Sequence, residues 1–156
     1  MTIHKAVMAD RDAILAVAAD TGMFLGQELD HFAATIDEQL SDTPSDHFLV
    51  SRNADDSIAA AAFWHPEDMT QGVANLLFSG TLATARRSGH GRALLAAYEV
   101  AAAPARLSII ETASDAMFAP AWELYRAKGY ERVAVIPDYY DDGLDKLIFR
   151  KRLEGR

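Results

Sequence analysis

The sequence predicts a mixed α/β layered domain, and three observations carry that prediction. Strand-like and helix-like segments follow one another in the order β-α-α-β-β-β-α-β-α-β-β. Half of the 156 residues are hydrophobic, which supplies a core for one ordinary globular domain spanning 1–156. The nine Gly and five Pro fall well short of a low-complexity composition, and no repeat of fixed period is visible.

The elements follow from periodicity and punctuation. Ile3 to Val7 alternates weakly and stops at Asp10, whose carboxylate is placed to cap a helix over 11–20 with Ile14, Val17 and Ala18 inward. From Gly26 a second helix sets Leu29, Phe32, Ile36 and Leu40 in one stripe, keeps Glu28, Asp30, Asp37 and Glu38 wet, and ends near Thr43-Pro44. His47–Arg52 and Ile58–Trp64 read as a hairpin about the turn-rich 53–56, although the run Ala59 to Ala62 is ambiguous between strand and helix. Gly72–Ala83 is extended and runs straight into Arg86-Arg87-Ser88-Gly89-His90-Gly91-Arg92. The helix that follows presents Leu94, Leu95, Tyr98 and Ala102 on one face and ends by Pro104. Leu107–Ala113 is an apolar strand interrupted by Glu111. Pro120 suits a first helical turn, Ala121, Leu124 and Tyr125 share a face, and Gly129 suits the position just past the end. Two strands, Tyr130–Ile136 and Leu144–Leu153, then flank a polar loop over 137–143.

Composition narrows the function classes. Fifteen Lys and Arg against 23 Asp and Glu leave a net charge of −8, which argues against a nucleic-acid partner, since phosphate neutralisation needs a basic face. No apolar run is long enough for a membrane span. Cysteine is absent, which excludes disulfides and a thiol nucleophile and suits a reducing cytoplasm. Residues 81–110 nevertheless carry Arg86, Arg87, Arg92 and Arg106 against Glu99 alone, a basic island in an acidic chain and hence a candidate anion site.

A strand feeding a Gly-containing turn that opens a helix gathers unpaired backbone N–H groups at the positive end of the helix dipole, a cradle for phosphate. Gly89 and Gly91 lack a Cβ and let a pyrophosphate approach the backbone, while Arg86, Arg87 and Arg92 line the rim. The plainer reading is a helix start capped by Ser88 with glycines for a tight entry. A Walker loop is excluded because no Lys-Ser/Thr follows, and a dinucleotide fingerprint because Leu94 holds its third glycine position.

Arg86-x-x-Gly89-x-Gly91 resembles the Gln/Arg-x-x-Gly-x-Gly/Ala loop of the GNAT N-acetyltransferases, and Leu124-Tyr125-Arg126-Ala127-Lys128-Gly129-Tyr130 resembles the same superfamily's Leu/Phe-Tyr-x-x-x-Gly-Phe/Tyr motif. The ending, Ile136 to Tyr140 followed by Asp145 to Lys151, is similar to one branch of small bacterial members, so the resemblance covers nearly the whole chain. It implies the acyl-CoA N-acyltransferase fold, a mixed and mostly antiparallel sheet flanked by helices, with acetyl-CoA as co-substrate and a small-molecule or peptide amine as acceptor. On that resemblance Thr81 offers main-chain hydrogen bonds to pantetheine and the acetyl carbonyl, and Arg86, Arg87, Ser88, Gly89, His90, Gly91 and Arg92 surround the pyrophosphate. Tyr125 matches the tyrosine that protonates the departing thiolate, its phenol reaching toward the gap near Thr81; as a plain helix residue it would pack the core beside Leu124. Phe118 departs from the pattern, standing where many members have an Asn against the cofactor, and Ala83-Thr84-Ala85 replaces a frequent Pro and acidic residues.

Direct transfer to an amine needs a proton acceptor, because an ammonium has no lone pair. Glu111 is the best candidate: it lies near the C-terminal end of an apolar strand, where burial disfavours the charged form of a carboxyl. A structural partnership with an arginine or a backbone group is the equal alternative. His65, at a strand end before Pro66, is a weaker base candidate, and the five histidines show no spacing for a metal site. A CoA or acyl-CoA sensor on the same scaffold, and a purely interacting domain using the arginines, remain as alternatives. The acceptor is expected among 21–28 and 137–143, and a homodimer is left open.

Overall fold

The computed structural model describes residues 1–153. Its elements are β1 (Thr2–Lys5), α1 (Arg11–Asp20), α2 (Gln27–Gln39), β2 (Phe48–Arg52), β3 (Ile58–Pro66), β4 (Val73–Thr81), α3 (His90–Ala101), β5 (Leu107–Ala113), α4 (Ala119–Ala127), β6 (Glu131–Asp141) and β7 (Leu144–Arg152). The seven strands form one sheet in the order β1-β2-β3-β4-β5-β7-β6. β4 and β5 run parallel, as a connection through the helix α3 permits, while the β1–β2, β2–β3, β5–β7 and β6–β7 pairs are antiparallel. The expected element order and mixed sheet are therefore what the chain forms.

By contacts the chain divides into two compact units, Met1–Trp64 with Phe78–Tyr98, and His65–Leu77 with the chain from Glu99 onward. In the first, Ile14, Val17 and Ala18 of α1 and Phe32 and Ile36 of α2 are buried as their periodicity requires. A run of rings fills this core: Phe24 stacks on Phe32 at 4.7 Å between centroids, Phe32 meets Phe78 at 4.8 Å, and Phe48 stacks on Phe63 at 4.7 Å. Ala59 to Ala62 resolves as strand; all four are buried, so both faces of β3 are covered and small side chains suffice. In the second unit, Ile110, Leu147, Phe149, Tyr125 and Tyr130 form the apolar core.

Three local expectations are corrected. Asp10 precedes α1 but does not cap it: its backbone is already helical (φ −87°, ψ −8°), not the extended conformation that aims a cap at the helix N–H groups. Its carboxylate instead accepts from the Val7 N–H at 3.0 Å and from the Arg52 guanidinium at 2.5 Å. The extended run from Gly72 stops at Thr81, and Ala83–Ala85 turn into a short 3-10 segment. Finally, the polar loop over 137–143 is mostly strand: β6 runs to Asp141, with a register shift between Ile136 and Asp141, and only Asp142-Gly143 separates it from β7. Asp138 (φ 52°) bulges there, held by its own N–H to Asp145 Oδ1 at 3.0 Å and by its Oδ1 to the Gly143 N–H at 2.7 Å.

Candidate active site

The candidate anion cradle, residues 86–92, lies within the first unit. After β4 the chain passes the 3-10 turn, takes a left-handed conformation at Arg87 (φ 62°) and again at Gly89 (φ 89°), and enters α3 at His90. The first helical bond, from the Ala93 N–H to the Gly89 carbonyl at 3.0 Å, starts only past the turn. Among the described residues, the backbone N–H groups from Arg87 to Arg92 have no acceptor, and Arg86, Arg87 and Arg92 make no ion pair. Consecutive free donors at a helix N-terminus with exposed guanidinium groups around them suit an anion such as a phosphate or pyrophosphate.

Two neighbours fix this turn, and sequence reasoning missed both. Asp20, the last residue of α1, accepts the Ala83 N–H on Oδ2 at 2.6 Å, tying the start of the turn to the first helix. Gly80 lies so close to Thr21 and Phe78 that a Cβ would come within 2.7 Å and 2.8 Å of their side chains, so only glycine fits the strand just before Thr81. The His90 side chain turns inward, leaving only its backbone at the turn. Its ring is buried, with Nδ1 2.7 Å from Ser51 Oγ, and burial pushes its pKa below the ordinary value. Arg106 donates its Nε–H to the Gln71 carbonyl at 2.7 Å in the second unit.

The second unit holds the two candidate proton carriers. Tyr125 is buried on α4, its ring edge-to-face with Phe149 of β7 at 5.5 Å and 6.2 Å from the Tyr130 ring. Loss of hydration pushes its phenol up to about 12, so it stays protonated at neutral pH. Glu111 is not the lone carboxyl in apolar surroundings that its strand suggests. Lys146 Nζ of β7 lies 2.8 Å from Oε2, and the Asn75 amide of β4 donates to Oε1 at 3.2 Å. Both Asn75 and Lys146 are buried polar residues, and an apolar strand interrupted by Asn75 is a signal the sequence did contain. Strand alternation sets Glu111, paired with Ile148, on one face of β5 and β7, and Ile110, paired with Phe149 beneath Tyr125, on the other. His65 turns its Nδ1 to the Pro66 carbonyl at 2.7 Å.

The comparisons with known proteins match the chain as a whole. The acetyltransferase (GNAT) family model fits residues 14–130. The chain belongs to the GNAT acetyltransferase family. Among solved GNAT-fold structures, a GNAT-family protein from Desulfovibrio desulfuricans is 29% identical, with a TM-score of 0.85 over 98% of this chain and 99% of that one. Ard1 from Thermoplasma volcanium (19% identity, TM-score 0.82, 99% and 98% covered) and a ribosomal-protein-alanine N-acetyltransferase from Brucella melitensis (21%, 0.78, 98% and 100%) share the fold. No curated protein sequence matches the chain significantly.

Proposed function

We propose that residues 1–156 act as one N-acetyltransferase domain that moves the acetyl group of acetyl-CoA directly to a primary amine of a small molecule or peptide. The observation that carries this reading is the run of acceptor-free N–H groups from Arg87 to Arg92 at the start of α3, in a chain of the GNAT family. In this reading the cradle holds the pyrophosphate, and the main chain at Thr81 aligns pantetheine. Glu111 takes one proton of the incoming ammonium and passes it to solvent, the freed nitrogen attacks the acetyl carbonyl, and the tetrahedral intermediate gives its second N–H proton to Glu111 as it expels the CoA thiolate. Tyr125 then gives its proton to that sulfur and regains one from solvent. No helix among the described residues is long and apolar enough to cross a membrane, and a cysteine-free chain using acetyl-CoA fits the cytoplasm.

Titration calorimetry with CoA, followed by thiol release over a panel of amines, tests the reading. Glu111→Gln should keep CoA affinity and lose on the order of 10²-fold in turnover. A chain that binds CoA but acetylates no amine would instead be a sensor, and one that ignores CoA would refute the cradle.

A further inference from the structure

One face of the sheet in the second unit carries a largely buried polar chain that spans several strands. The Asn75 Nδ2 donates to Glu67 Oε1 at 2.5 Å and to Glu111 Oε1 at 3.2 Å, and Lys146 closes on Glu111 Oε2 at 2.8 Å. Beyond Lys146, the Tyr139 ring centroid lies 4.2 Å from its ammonium. Each Glu111 oxygen thus has one protein donor and keeps one lone pair. Lys146 is nearly inaccessible (8% exposed), and a buried ammonium is retained only where it is paired. Burial by itself lowers the Lys146 pKa, yet the hydrogen bond and charge of Glu111, aided by Tyr139, outweigh it and hold the ammonium above its usual value.

We propose that Lys146 is a positioning residue for Glu111: together with the Asn75 amide it clamps the two carboxylate oxygens in one orientation, leaving a fixed lone pair on each to meet the acceptor amine. This rests on the reading of Glu111 as the base. A glutamate side chain has three rotatable bonds, and a base displaced by about 1 Å loses on the order of 10²-fold in rate. Clamped on both oxygens by groups from two neighbouring strands, Glu111 cannot swing. Lys146 touches neither substrate nor cofactor in this role and acts through the carboxylate alone.

The test compares Lys146→Met, Lys146→Gln and Lys146→Arg with wild type and Glu111→Gln in steady-state transfer to one accepted amine. The two neutral variants should lose roughly 10- to 100-fold in kcat while KM for acetyl-CoA stays within about twofold, and Lys146→Arg should recover most of the loss. Wild-type kcat in a folded neutral variant overturns the clamp, as does an arginine variant no better than methionine. Full activity in Glu111→Gln removes the base reading itself, whereas an impaired Glu111→Gln beside an unimpaired Lys146→Met removes only the clamp. Reductive methylation of the wild-type protein stands even where the variants fail to fold. Lys146 should react roughly tenfold more slowly than Lys5, which is half-exposed, and equal rates overturn the pair.

Discussion

Tyr125→Phe separates packing from proton donation. The ring stays against Phe149 and Tyr130, and only a phenol oxygen on a buried helix face is lost. Burial raises the phenol from 10.0 to about 12. A group held protonated by the fold contributes stability that is complete below its unfolded value and is lost as pH rises through the folded one. The window is therefore pH 10 to about 12, and two units correspond to about 3 kcal/mol. Urea melts from pH 7 to 11 should show wild type losing stability above pH 10 more steeply than Tyr125→Phe, with the two close together at neutral pH. In single-turnover transfer at pH 7, the variant should be slower by roughly 10- to 10³-fold, with unchanged affinity for acetyl-CoA. Parallel alkaline melts would refute the buried phenol. Equal transfer rates would show that solvent protonates the thiolate and that Tyr125 only packs.

The cradle yields three further expectations. Gly91 lies in the first turn of α3 and is not among the glycines of positive φ, so Gly91→Val should fold and still weaken CoA by about 2 kcal/mol in calorimetry through blocked approach. Asp20→Ala frees the Ala83 N–H and loosens the turn, weakening CoA roughly 3- to 10-fold while leaving the amine KM unchanged. Gly80→Ala drives a methyl into Thr21 and the Phe78 ring, which is itself wedged against Phe24 and Phe32; thermal melts should show a loss of about 1–3 kcal/mol.

What the sequence made legible was whatever is written in local period and local chemistry. The stripe of Phe32 and Ile36, the strand around Glu111, the Pro120 helix start and the Gly129 stop (φ 86°) each follow from neighbours within a few residues. The turn from β4 into α3 was legible for the same reason, since strand, turn and helix are contiguous. Long-range partners were not. Asp10 looked like a cap because its partner Arg52 is 42 residues away, and residues 137–143 looked like a loop because Pro and Asp are poor strand formers and only pairing with β7 overrides them. Glu111 looked isolated because Lys146 comes from the other side of a sheet pairing, and Asp20 gave no local sign that it would reach Ala83.

In the proposed mechanism the two proton carriers need different surroundings, and the period of the strand provides them. A base must be ionised when the amine arrives, while an acid must keep its proton until the thiolate forms. Successive residues of a strand point to opposite faces, so Glu111 and the Ile110–Phe149 pair under Tyr125 are neighbours along the chain yet separated by the thickness of the sheet. On one face lie Glu67, Asn75 and Lys146, groups that hydrogen-bond or neutralise a carboxylate. On the other lie the rings of Phe149 and Tyr130, and burial there raises the pKa of the Tyr125 phenol. Shifting the β5 register by one residue would exchange these surroundings, burying the carboxylate among rings and putting Ile110 against Lys146. The Ser108–Tyr130 hydrogen bond at 3.0 Å and the Lys151–Glu99 ion pair at 2.8 Å, at neighbouring β5 and β7 positions on the ring face, help hold that register and with it the separation of Glu111 from the rings.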